Sequence, residues 1–184
     1  MTNMQQRRIL DESFFCRDTR VVARELLGKF LVCRIGKNER ALMITETEAY
    51  DGPRDKASHA HRGKTTRNAV MFGEAGRFYV YLVYGMYYML NIVTGNNGYP
   101  AAVLIRGAGE CDGPGKLTKT LRIKLQQNGK KAKQSSGLWI EDRSVVILKQ
   151  QIQKTPRIGV AYAGEWENKP YRFVLKKPLI NKIN

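Results

Sequence analysis

Two glutamates stand two residues apart in the stretch ITETEAY, residues 44–50. On an extended strand Leu42, Ile44, Glu46 and Glu48 share one face, two apolar residues followed by two carboxylates as the strand leaves the core. Like charges on adjacent same-side positions raise the pKa of at least one of them where water is excluded, and a carboxylate tuned in this way serves as a general base. A solvated strand end with one glutamate paired to an arginine would use the same residues, and parity does not separate Glu46 from Glu48.

Aromatic side chains raise a second question. Five of the nine tyrosines fall within ten residues, Tyr79 to Tyr88. Tyr79 and Tyr81 share strand parity, and Tyr79, Tyr87 and Tyr88 read as framework residues of a half-buried sheet. Tyr84 differs, because a bulky ring beside the turn residue Gly85 is poorly placed to enter its own sheet's core. Exposed there, it is suited to stacking on or wedging between bases. His59 and His61 lie two apart in a polar loop, with neither HExxH nor a three-ligand spacing around them, so no metal is expected. There is no P-loop, dinucleotide glycine fingerprint or GxSxG motif, and no cofactor is expected. GPGK, residues 113–116, can present backbone N–H groups and Lys116 to a phosphate, or serve as a plain turn.

The elements that must hold these residues follow from turn and periodicity signals. Residues 18–30 predict a short helix, capped by Asp18 or Thr19 and stopped at Gly28. Residues 29–35 and 40–50 predict an antiparallel pair around the turn GKNE. Residues 51–68 form a long polar loop of the kind that carries function. The tyrosine stretch predicts a hairpin with Tyr84, Gly85 and Met86 at its tip. PAAVLIRGA, residues 100–108, is a central strand that delivers Arg106, and residues 113–121 are a glycine turn entering a helix. Residues 126–137 read as a surface connection whose basic charge points to DNA contact. Three closing strands are expected at 143–149, 157–163 and 171–177. The fold class is α+β: a single domain over residues 1–184, a curved and mainly antiparallel sheet with surrounding helices and a protruding hairpin.

The chain of 184 residues carries 32 basic and 16 acidic residues, for a net charge of +16. The excess is uneven, +4 over residues 1–112 and +12 over 113–184. Such a charge fits a polyanionic partner, nucleic acid before a membrane surface. Apolar residues at 42% and charged residues at 26% exclude disordered and membrane-spanning classes. Cys16, Cys33 and Cys111 form no CxxC pair and point to a reducing compartment, cytoplasm, nucleoid or nucleus. No apolar run suits a signal peptide.

Five stretches, residues 46–63, 66–93, 102–108, 113–117 and 157–173, occur in an order that resembles the alkyladenine (3-methyladenine) DNA glycosylase family across roughly Asp11 to Phe173. The resemblance implies a monofunctional enzyme of base-excision repair that hydrolyses the N-glycosidic bond of alkylated purines in duplex DNA, as a monomer and without a cofactor. It implies Glu48 as general base, with Arg106 and the Val160 carbonyl positioning the water. Tyr50, His59 and Tyr81 would line the base pocket and Asn91 its floor. Tyr84 would fill the gap left in the duplex, with Met86 and Lys116 contacting DNA. Thr66 stands where the family commonly has proline. A non-catalytic nucleic-acid binder and a metal-dependent nuclease using Glu46, Glu48 and His59 are the competing readings.

Overall fold

A computed structural model describes residues 7–176. In chain order they form β1 (Arg8–Ile9), α1 (Glu12–Phe15), α2 (Thr19–Glu25), β2 (Phe30–Ile35), β3 (Asn38–Tyr50), β4 (Phe78–Val83), β5 (Tyr87–Thr94), β6 (Ala101–Ala108), β7 (Cys111–Asp112), α3 (Pro114–Thr120), β8 (Leu138–Asp142), β9 (Ile152–Thr155) and β10 (Arg172–Leu175). Every pairing is antiparallel, in the order β1-β8-β2-β3-β6-β5-β4. The sheet stays open, and the expected α+β architecture holds.

β3 is the organising strand because it is twice as long as a typical strand. Its first half pairs with β2, from Asn38 to Met43. Its second half pairs on one side with β10, Glu48 opposite Arg172, and on the other with β6. Between these halves the register with β6 shifts twice, at Ile44/Glu46 and at Glu46/Thr47. A bulge of this kind bends the strand and re-aims its side chains. Leu42 and Ile44 enter the main core, and beyond the bulge Ala49 does so too. Thr47 follows the same side, its Oγ1 donating to the Ala23 carbonyl of α2 at 2.7 Å. The simple alternation expected for Leu42, Ile44, Glu46 and Glu48 therefore fails: the bulge exchanges the faces. Glu48 does not leave the core for solvent either, since it is completely buried.

The two faces of the sheet have different coverings. Val22 and Ala23 of α2, Leu26 just past its end, Phe15 of α1 and Leu117 of α3 pack beneath one face with Phe78, Val80, Leu90 and Ile105. A second cluster, Ala60, Met71, Tyr79, Val93 and Ala102, forms under the 51–77 loop, and a third joins Ala57 to Val160 and Ala163. Strand register sets the second face in order: Glu48 lies opposite Leu104, Leu104 opposite Asn91, and Asn91 opposite Tyr79. One row of residues thus crosses four strands.

Several local expectations are corrected. Residues 143–149 are not a strand, because the edge of β2 is taken by β8, where Leu138, Trp139 and Ile140 are buried and the chain turns away at Ser144 with φ 59°. Residues 157–163 form no ladder; they lead into 3-10 turns over Ala161–Trp166. The 126–137 stretch is the surface connection expected, and it also covers an edge: Gly129 N donates to Phe78 O at 2.8 Å, Phe78 N to Lys130 O at 2.9 Å and Val80 N to Asn128 Oδ1 at 2.9 Å. It occupies the open side of β4, which shields that edge from pairing with another chain. Of the third expected strand, residue 177 lies outside the described residues.

The Thr47 bond fixes the register past the bulge and tests it. Thr47→Val keeps the shape but leaves a buried helix carbonyl without its donor, so the fold should lose about 1–3 kcal/mol in urea denaturation, and Thr47→Ser should lose clearly less.

Candidate active site

A cavity of about 520 Å³ opens between the sheet's second face, the 51–77 loop and the segment after Arg157. Tyr50, His59, Tyr81, Asn91, Arg106, Val160 and Tyr84 all line it, so most of the residues singled out in the sequence converge here. Met86 does not line it; it stands at the hairpin tip, 68% exposed. Lys116 does not line it either; its Nζ donates to Asp112 Oδ1 at 2.6 Å in the open beside α3, while Pro114 next to it reaches the cavity wall. 

Glu48 sits behind this wall, and its two oxygens have different partners. Oε1 accepts from Ile158 N at 2.8 Å, and Oε2 accepts from the Tyr50 hydroxyl at 2.9 Å. Arg106 Nε lies 3.5 Å from Oε1 and donates more closely, at 2.9 Å, to Glu46 Oε1. Glu46 also accepts from Arg172 Nε at 2.6 Å. The two glutamates that parity left equivalent are thereby separated: Glu46 is held by two guanidiniums, and Glu48 is the more buried and less neutralised of the pair. Burial pushes the Glu48 carboxyl above its ordinary value of 4.5, against the opposing pull of Arg106, the Ile158 N–H and the Tyr50 hydroxyl.

The aromatic wall comes from β4 and the loop. The His59 and Tyr81 ring centroids are 4.6 Å apart, edge to face, and Tyr79 and Tyr81 are 5.1 Å apart. Tyr79 OH bonds His59 Nδ1 at 2.9 Å. Tyr79 is therefore a framework residue of the sheet that also lines the cavity, and its shared parity with Tyr81 was the signal for the second role. Burial raises the Tyr79 hydroxyl to about 12 and lowers the His59 imidazole, which Arg67 lowers further. His59 is thus kept neutral near pH 7, a flat polarisable ring rather than a cation. Arg67 itself lies over the Tyr81 ring at 5.1 Å and donates to Leu82 O at 3.0 Å. Within the loop, Asn68 donates from Nδ2 to the carbonyls of His59 and Gly63, each at 2.9 Å.

Asn91 donates to the Tyr79 carbonyl at 3.1 Å, and the Val160 carbonyl accepts from Ala163 N at 2.9 Å, which leaves that oxygen a second lone pair. At the hairpin tip Met86 N donates to Val83 O at 3.1 Å, with Tyr84 at φ 51° and Gly85 at φ 67°. Gly85 adopts this backbone freely, whereas a tyrosine there is strained by roughly 1–2 kcal/mol. Tyr84 is 87% exposed despite that cost, a placement that packing does not explain. Among the described residues no group of three or more His, Cys, Asp and Glu side chains is arranged to hold a metal, and no helix is long and apolar enough to cross a membrane.

The open α+β sheet thus buries a carboxylate behind an aromatic cleft, on a chain of net charge +16. The chain belongs to the methylpurine-DNA glycosylase family, whose family model matches residues 13–110 and 108–178. It is similar to proteins provisionally named 3-methyladenine DNA glycosylase: one from Anaeromyxobacter dehalogenans (strain 2CP-C), 45% identical over 91% of this chain and 83% of its own; one from Methanocella arvoryzae, 45% identical over 95% and 96%; and one from Legionella pneumophila (strain Corby), 44% identical over 95% and 99%. Membership makes it a DNA glycosylase, a hydrolase of N-glycosyl bonds in DNA.

The raised pKa of Glu48 has a consequence for stability. Because its folded-state value lies above the unfolded one, ionisation costs the folded protein, and that cost enters as pH rises from the ordinary value of 4.5 through the raised one. Glu48→Gln should therefore melt higher than the parent at pH 7, and the difference should vanish when both are melted below pH about 4.

Proposed function

We propose that the protein extrudes alkylated purines, 3-methyladenine and related lesions, from duplex DNA and cleaves their N-glycosidic bond with Glu48 as general base, leaving an abasic site. A base inside a duplex is out of reach of any such cleft, so the target nucleotide must leave the stack and the hole must be filled. Tyr84, strained and exposed at the hairpin tip, suits that role, with Met86 beside it. The extruded ring enters the cavity against His59 and Tyr81, with Tyr50 along the wall and Asn91 at the floor. A purine methylated at a ring nitrogen is cationic, and aromatic faces attract it electrostatically as well as by contact. A neutral His59 adds no repulsion.

The chemistry is a displacement by water. As the bond from C1′ to the base nitrogen breaks, its electron pair leaves with the base, which neutralises that base's positive charge. The sugar acquires oxocarbenium character, which the Glu48 carboxylate stabilises while it takes a proton from the attacking water. Arg106 and the Val160 carbonyl hold that water. A cationic leaving base needs little acid help, and simple hydrolysis needs no lysine nucleophile. Lys116 contacts the phosphate backbone, and one copy of the chain suffices for the reaction.

The observation that carries this reading is the Glu48 carboxylate itself, buried at the back of an aromatic cavity with a raised pKa and the Arg106 guanidinium beside it. The test is release of free methylated base from alkylated duplex DNA in EDTA. The parent should release base, and Glu48→Gln should lose on the order of 10²–10⁴-fold in rate while still binding DNA. Equal rates for the two would remove Glu48 from the chemistry. Tyr84→Ala should slow release from duplex DNA much more than it lowers the melting temperature; a loss of stability matching the loss of rate would make Tyr84 a structural residue instead.

A further inference from the structure

Arg157 is a buried cation that the reaction does not consume. Its side chain is fully inaccessible, as is that of Asp55, with which it pairs through both terminal nitrogens, Nη2 lying 2.8 Å from Asp55 Oδ1. Asp55 in turn accepts from Asp51 N and Ala57 N, each at 3.0 Å, so this pair anchors the start of the loop that carries His59. Ion pairs this deep seldom pay their own desolvation through stability alone.

Three further contacts lead from Arg157 to Glu48. Nη1 donates at 2.8 Å to the carbonyl of Ala49, the residue between Glu48 and Tyr50. The guanidinium carbon lies 4.8 Å from the centroid of the Tyr50 ring, whose hydroxyl donates to Glu48 Oε2. The residue after Arg157, Ile158, supplies the N–H that donates to Glu48 Oε1. One side chain therefore fixes both donors to the carboxylate, one through its ring face and the other through its own backbone.

We infer that Arg157, locked by Asp55, is a positioning residue for Glu48: it holds the Tyr50 hydroxyl and the Ile158 N–H on the ionised carboxylate and thereby sets its orientation and its proton affinity. This rests on the reading of Glu48 as the base. Hydrogen bonds to the charged form of a carboxylate favour that form. Weakening them raises the pKa and moves the ascending limb of the rate against pH upward. The other groups around the carboxylate stay in place: Glu46 on its own strand, Arg106 on β6, Tyr81 on β4 and, through Glu46, Arg172 on β10.

The experiment compares the parent with Arg157→Lys, which keeps the charge but loses the planar fork, and with Asp55→Asn, which keeps the shape and releases the fork. Single-turnover release of methylated base is measured from pH 5 to 9, alongside the melting difference between each variant and its Glu48→Gln derivative across pH, which reports the Glu48 titration without catalysis. Arg157→Lys should lose about 10–100-fold in rate, as misplacement of a catalytic group does, with its limb moved upward and the melting difference still setting in near the ordinary carboxyl value but levelling off at higher pH and at a larger size. Asp55→Asn should lower the rate likewise, with a smaller upward shift of the limb and of the melting plateau, because the Arg157 charge it leaves uncompensated favours the carboxylate. If Arg157 served only folding, each variant would lose active protein equally at every pH and leave both titrations where the parent has them, which would overturn the inference. A parent that releases no base would instead overturn the catalytic reading; the melting titrations would then still decide whether Arg157 governs Glu48.

Discussion

A carboxylate taken out of water costs several kcal/mol unless donors replace its hydration. The placement of Glu48 is the constraint to which the rest of the structure answers. Its oxygens are met by one side-chain hydroxyl, one backbone N–H and a nearby guanidinium, drawn from three parts of the chain that are remote in sequence. These partners offset much of the penalty without abolishing it, which is why the carboxyl keeps a raised affinity for its proton. A base made too comfortable would be a weak one. On the proposed reading, the residual discomfort of Glu48 is what suits it to act as a base, and the packing of β3, β6 and the segment after Arg157 maintains it.

The sheet separates two tasks that compete elsewhere in small proteins. Its helix-covered face holds nearly all of the large apolar side chains and so carries the stability. Among the described residues the opposite face is roofed mainly by the 51–77 loop and the segment after Arg157, with two small apolar clusters beneath them and Pro114 of α3 at the cavity wall. A cavity of about 520 Å³ remains there. The Asp55–Arg157 pair replaces the missing apolar packing with directed bonds, so that a thin roof remains well defined.

Much of this was legible in the amino-acid sequence, and the gaps have physical causes. Turn residues located the β2–β3 and β4–β5 hairpins, and Gly85 beside Tyr84 placed an exposed aromatic at the tip. The family resemblance singled out Glu48, whereas period-two parity put the β3 glutamates on the wrong face, since a break in register leaves no compositional trace. Arg157 and Asp55 stand 102 positions apart and belong to no local pattern. Apolar, β-branched residues at 143–149 and 157–163 looked like strands because propensity cannot tell that a sheet edge is already occupied. Tyr79 was visible only as the parity partner of Tyr81, and its role depended on His59 arriving from the loop.

The bulge at Thr45–Glu46 means that residue number, more than residue type, decides which side of the sheet faces the substrate. Flattening that irregularity at constant length would restore perfect alternation from Leu42 to Tyr50. It would also carry Glu48 through the sheet into the apolar core beside Leu42 and Ile44 and turn Thr47 and Ala49 toward the cavity, leaving an intact-looking sheet with its cavity face inside out. An irregularity in the backbone is thus what decides which side chains of β3 meet the cavity.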